Sequence, residues 1–210
     1  MDQSLLIPEL VAYMEETVLP QYQDYEPAHD ISHIRTVIEN SFRIAAPYDV
    51  DVNMVYAIAC YHDLGIRFGR DDHHLTSAKL LLEDQTIQKF FSSEQIVVMK
   101  QAIEDHRASS KNPPRSIYGK IVAEADRDLN PRRVISRAIA FAKAHHPNAS
   151  EEEILSISLN HLSEKYGEGG YLTLVLDDPV NVAGLKALRE MLADGHAKEI
   201  AIEELHALIG

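Results

Sequence analysis

Apolar residues return every three or four positions along nearly all of this 210-residue chain, the spacing that puts side chains on one face of an α-helix. That period predicts an all-α fold. YLTLVL at 171–176 is the one short stretch that alternates like a strand. Leu5, Leu10, Val11 and Met14 mark a first helix closed near Pro20. A second helix begins near Asp30, a suitable cap, and carries His33. A third, over 51–63, is apolar on most sides, which predicts a central position, and Gly65 ends it.

Residues 66–72 read as a charged connection and 74–83 as a further helix. Ser92 with Gln95, and Ser150 with Glu153, have the spacing of capping boxes, which start two more helices. The Asn112-Pro113-Pro114 loop precedes a helix over 116–128, stopped before Pro131. Further helices are expected at 132–145, from 150 to Gly167, at 179–193 and at 196–208.

The net charge of −13 argues against general nucleic-acid binding and against an anionic membrane surface, since both need a basic face. Locally the balance reverses. Between Arg107 and Arg133 the basic side chains outnumber the acidic ones, so a small anionic substrate suits the middle of the chain. Cys60 is the single cysteine; it excludes an internal disulfide and sits in an apolar run as buried packing. The N-terminal stretch lacks a basic region followed by an apolar one. No window reaches the ~18 apolar residues of a membrane span, and the expected location is the cytoplasm.

Chemistry concentrates on His62-Asp63. With His33 upstream and Asp126 downstream, they offer two imidazoles and two carboxylates, a mixed N/O set that a divalent metal could gather with room left for water. His29 and His33 stand four apart; a cap at Asp30 leaves His29 in the entry loop and makes His33 the better ligand. Asp126 falls on or beside an apolar stripe, where a carboxylate must find a partner, either a local one or an ion. His106 points inward, as a hydrogen-bonded core residue or as part of the site. His73 and His74 follow Asp71-Asp72 in a connection that reads as polar and exposed. His145-His146 close a helix, where cationic His suits the dipole, and are left out of the site. The chain has no Gly-rich phosphate loop, no GxSxG elbow and no HExxH helix, and Cys60 lacks an electropositive setting.

The order His33, His62-Asp63, Asp126, with the last inside Ala125-Asp126-Arg127, resembles the HD-domain superfamily of metal-dependent phosphohydrolases and its pattern H…HD…D. HDLG at 62–65, HHLTSAKLLL at 73–82 and IEDHRAS at 103–109 extend the likeness. The resemblance implies an HD-domain helical bundle with additional C-terminal helices: a single domain over 1–210, with the HD-like core at about 28–130 and the extra helices at about 131–210. It implies a metal held by His33, His62, Asp63 and Asp126, with Asp63 able to bridge to a second ion. In two-metal members extra histidines take part; here these match His73 and His106, with His74 competing for the former place.

From the resemblance follows hydrolysis of a small phosphate ester or anhydride, a nucleotide above all, with one divalent transition ion (Mn, Fe, Co, Ni or Zn) per chain and room for two. His73, His74 or His106 would serve catalysis. Arg107, Lys111 and Arg127, taken from the basic stretch, would hold phosphate oxygens. A homodimer is compatible with this reading. The chain departs from the cyclic-dinucleotide branch, because no GYP follows and Ile66 rather than a basic residue comes after HDLG. Ile66 also stands where the nucleotidase branch has the acid that assists water. Two rivals therefore remain, a metal-containing nucleotide-binding module without turnover and a di-iron oxygenase of HD type.

Overall fold

The computed structural model describes residues 3–23, 25, 31–110 and 112–209, so His29, Asp30 and Lys111 lie outside the described residues. Two compact units divide the chain, Met1–Arg127 and Asp128–Gly210. Every regular element among the described residues is helical, and 171–176 is irregular rather than a strand.

In the first unit, α1 (Pro8–Tyr13) runs into a π turn (Met14–Val18) and a 3-10 turn (Leu19–Tyr22), then come α2 (Ile31–Ala45), α3 (Val52–Tyr61), α4 (His73–Glu83), α5 (Ser93–Glu104) and α6 (Ile117–Ala125). The helical path does not close at Pro20 as the sequence suggests. Pro20 sits at the start of the 3-10 turn, where its missing N–H has no helical partner to lose.

Helix α3 is the axis of this unit. All of its residues but Asn53 are buried, and α2, α4, α5 and α6 pack around it. Removing such side chains from water stabilises the fold by roughly 1.5–3 kcal/mol each. Asp51 caps its start by accepting from the Asn53 amide at 2.8 Å. Its far end is tied by two tyrosines: Tyr22 Oη donates to the Cys60 carbonyl at 2.9 Å and Tyr25 Oη to that of Leu64 at 2.7 Å. These bonds satisfy carbonyls that a helix end leaves without partners. They also fix the backbone that carries His62-Asp63.

The second unit holds α7 (Pro131–His145), α8 (Glu151–Tyr166), α9 (Pro179–Asp194) and α10 (His196–Ile209), with α7 packed against each of the other three. Asn130, Ser150 and Asp178 each cap a helix, and Ser150 forms the reciprocal box with Glu153. His145 stacks on Phe141 at 3.9 Å in this unit, an exposed helix end.

A polar knot locks α1 to α3 and α4. Tyr13 and Tyr61 both donate to Asp84 Oδ2 at 2.5 Å, while Oδ1 accepts from the amides of Thr86 at 2.8 Å and Ile87 at 3.1 Å. Burial alone would raise the carboxyl pKa, but these donors outweigh it and hold it below the usual carboxylate range. Removing the acceptor takes the charged partner from the nearly inaccessible Tyr61 hydroxyl, leaving it only Tyr13. Asp84→Ala should therefore cost about 2–4 kcal/mol of unfolding free energy in urea titration. Because the folded carboxyl is the stronger acid, its contribution is present above the unfolded value of ~3.9 and fades as pH falls through the folded pKa. Asp84→Asn should accordingly flatten that part of the acid limb, and an unchanged limb would remove Asp84 from the account.

Candidate metal centre

Six side chains from five elements meet at one end of the first unit. His33 comes from the first turn of α2, His62 and Asp63 follow α3, His73 opens α4, His106 lies just past α5 and Asp126 caps the C-terminus of α6. The sequence reading of His73 as exposed is corrected: it and His106 are buried, as are His33, His62 and Asp63. Asp126 is the open edge of the group, with its side chain 26% exposed rather than sunk in the core.

Asp63 faces two ways. Its Oδ2 lies 3.4 Å from His62 Nε2 and 3.7 Å from His33 Nε2, and Asp126 Oδ1 is 3.2 Å from the same His33 nitrogen. Its Oδ1 lies 3.2 Å from His73 Nε2 and 3.4 Å from His106 Nε2, which are 3.1 Å from each other. The result is two ligand groups, His33/His62/Asp63/Asp126 and Asp63/His73/His106, that share one carboxylate. Ligands about 2.1 Å from an ion stand roughly 3.0–3.4 Å apart in octahedral or tetrahedral arrangements, the range most of these contacts occupy.

Three of the imidazoles are oriented in the same manner. The Nδ1 of His62, His73 and His106 lies 2.8, 2.7 and 2.6 Å from the carbonyls of Ala59, Arg70 and Ile103, each three residues earlier. A carbonyl only accepts, so each Nδ1 carries the proton. In the neutral ring Nε2 is then a lone pair aimed inward. His62 Nε2 is buried with no hydrogen-bond partner among the described residues. Facing lone pairs and carboxylates repel unless a proton or a cation lies between them, and this donor set fits a divalent ion.

The electrostatics lean the same way. Burial works against charge on His33 and His62, yet the Asp63 and Asp126 carboxylates outweigh it and raise both pKa values. Asp63, despite its burial, and the more open Asp126 both stay well below the carboxylate range, because the histidines beside them favour the charged form. The C-terminal ends of α3, α5 and α6 add partial negative charge.

Around this group the predicted phosphate-binding residues separate. Arg107 donates to the Asp71 carbonyl just before α4. Arg127, expected to be a phosphate clamp, is 8% exposed and pairs with the fully buried Glu124 at 3.3 Å, so its guanidinium is turned into the unit. It does not pair with Asp126, because three residues back along α6 is the nearer reach. His74 keeps an unpartnered Nδ1 among the described residues, and burial, then Arg107, His106 and His73, push its pKa down.

Sequence reasoning missed the part played by 66–72. The Arg70 carbonyl orients His73 and the Asp71 carbonyl receives Arg107. Backbone carbonyls leave no trace in residue identities. Gly65 had a signal, its place after Leu64, but only as a helix stop. A Cβ there would stand 2.5 Å from both the His73 carbonyl and the Ser77 amide nitrogen. Its own N–H donates to Ser77 Oγ at 2.8 Å.

Residues 30–130 match the HD domain family, and on that span the chain belongs to the HD-domain superfamily. No curated protein matches the sequence significantly. The crystal structure of a predicted HD superfamily hydrolase from an uncultured Thermotogales bacterium is similar at 25% identity, covering 74% of this chain and 84% of that one with a TM-score of 0.47. No helix among the described residues is long and apolar enough to cross a membrane.

The close seat of Gly65 on α4 is testable. Gly65→Ala should push α4 and His73 away and cost about 1–3 kcal/mol, the usual range for overpacking. Urea unfolding with an unchanged midpoint would show that α4 yields freely.

Proposed function

We propose that the protein is a metal-dependent phosphohydrolase acting on a small phosphate ester or anhydride, with a nucleotide as the substrate class. The observation that carries this reading is the pair of converging ligand groups joined through Asp63. In the proposal His33, His62, Asp63 and Asp126 hold the first ion, and Asp63, His73 and His106 supply a place for a second. The N/O donor set suits Mn, Fe, Co, Ni or Zn. Such an ion supplies Lewis acidity, lowering the pKa of bound water and polarising a phosphoryl oxygen.

The remaining work falls to the chain. Arg107 offers a guanidinium beside the His73/His106 group and, after a small turn away from the Asp71 carbonyl, can grip phosphate oxygens. His74 is a neutral imidazole at pH 7 with a vacant Nδ1, able to take a proton and return it to the leaving oxygen. Ile66 provides no acid for this task, so in the proposal proton transfer rests on His74, with His73 or His106 taking part only where it is not holding an ion.

A second reading keeps the same residues with two irons and oxygen as co-substrate. The six-residue, carboxylate-bridged set favours it, because such chemistry needs the fuller ligation. Oxygen uptake without phosphate release by iron-loaded protein would decide for it. Nucleotide binding without either reaction would instead indicate a regulatory module.

Metal analysis of the variants tests site and nuclearity together. Asp126→Ala should lose metal and phosphatase activity together, whereas His146→Ala, at the exposed end of α7, should change neither. His106→Ala should remove about one ion per chain if two are bound. With one ion it should keep the metal and lose rate, by roughly 10- to 100-fold. An Asp126→Ala protein with full metal and activity would overturn the proposal.

Arg107 answers a separate question. Arg107→Ala should lower turnover on the order of a hundredfold while metal content stays intact, as loss of one charged donor to a reacting oxygen does. Loss of metal in that variant would make Arg107 a structural residue.

A further inference from the structure

His106 lies beyond the regular part of its helix. Helix α5 ends at Glu104, and the His106 N–H reaches back to the Ile103 carbonyl at 3.5 Å, the long limit of a hydrogen bond. The bond from its ring to the same carbonyl orients the imidazole relative to the last turn of α5 but does not fix that turn.

A residue from outside α5 grips this point. Arg115, ten residues after Asp105 and just before the Ser116 cap of α6, donates its backbone N–H to Asp105 Oδ2 at 2.8 Å and its Nε to both Asp105 oxygens at 3.0 Å. Its Nη2 reaches Asp105 Oδ1 at 2.8 Å, Glu104 Oε2 at 2.7 Å and the Gln101 carbonyl at 3.2 Å. A single exposed ion pair contributes little. A planar fork that meets one carboxylate with two nitrogens, and also takes a second carboxylate and a helix-end carbonyl, fixes direction as well as distance. The start of α6 is seated at the same place: a Cβ on Gly119 would stand 3.5 Å from both Asp105 Cβ and Ala102 Cα.

We infer that Arg115 is a positioning residue for the second ion: by clamping Asp105 it holds the adjacent His106 where its Nε2 meets Asp63 Oδ1 and His73 Nε2, and so sets the affinity of that ligand group. This rests on reading Asp63, His73 and His106 as a place for an ion. Arg115 acts through the backbone of Asp105 and His106, not on the ion. The first group is fastened elsewhere, by Asn40 on the Ala125 carbonyl beside Asp126 and by Tyr22 and Tyr25 at the end of α3. Loss of the clamp therefore falls on the second ion.

Manganese(II) titration of the full chain, followed by calorimetry and by the EPR signal of free manganese, tests this without turnover. Wild type should bind two ions. Arg115→Ala should weaken the second about tenfold or more, the effect of losing a residue that orients a ligand, while the first keeps its affinity. Arg115→Lys, which keeps the charge without the fork, should recover only part of that loss. Asp105→Asn, which keeps the shape and removes the charge, should weaken the second ion in the same selective way. Unchanged affinity for both ions in Arg115→Ala or Asp105→Asn, even with a lowered melting temperature, overturns the inference, and so does equal weakening of both. One ion in wild type with phosphate released overturns it too, and leaves the phosphohydrolase reading standing. Arg115-dependent binding of a second ion by a protein that releases no phosphate upholds the clamp and counts against that reading instead.

Discussion

The 3.1 Å separation of His73 Nε2 and His106 Nε2, with both rings held by their Nδ1 protons on backbone carbonyls, is the constraint around which the first unit is built. With both Nδ1 positions committed to carbonyls, the two Nε2 atoms and Asp63 Oδ1 converge as acceptors that need a proton or a cation between them. Nothing in a stable apolar core requires this. Packing and hydrogen bonding hold together groups that electrostatics would separate, so the arrangement makes sense as a receptacle for positive charge.

The fold delivers these groups by using helix ends. Helices α3, α5 and α6 stop at Tyr61, Glu104 and Ala125, and the ligand residues come at or just after those stops. A side chain at a helix end can turn inward without breaking a ladder of backbone bonds, whereas one in mid-helix must take the direction its turn dictates. Each end is secured separately. Tyrosine hydroxyls bind carbonyls at the end of α3, and Asn40 Nδ2 donates to the Ala125 carbonyl at 3.2 Å, next to Asp126. Gly65 lets the start of α4 come within reach of Asp63 because it adds no Cβ to that contact.

How much of this could be read from residues alone follows the same division. Helical period exposed α3 as central, since an element apolar on most sides has nowhere else to go, and the capping boxes at Ser92 and Ser150 formed as their spacing predicts. His33, His62, Asp63 and Asp126 were legible as a set because their residue types are costly to bury singly. His73 was misread because its neighbours Asp71 and Asp72 are exposed, and only its tertiary contacts with Asp63 and His106 show that the chain turns inward at that residue. Arg127 misled in the opposite sense. Its position beside Asp126 suggested a shared task, but successive residues at a helix end diverge, and Glu124 one turn back takes its charge. The Asp84 knot had no signature, since tyrosines and an aspartate separated by 71 and 23 residues carry no pattern along the chain.

The pairing of Arg127 with Glu124 has a consequence for the centre. If the guanidinium turned toward Asp126 it would compete with an ion for that carboxylate, and a fixed cation there would weaken divalent binding through like-charge repulsion. Glu124, fully buried and three residues away, draws the guanidinium aside, so Asp126 meets histidines and solvent. Asp126 is also the most open of the clustered residues, the side on which solvent reaches the group while His62 and Asp63 stay covered. The cluster thus has buried histidines on one side, whose rings fix its geometry, and a partly accessible carboxylate on the other.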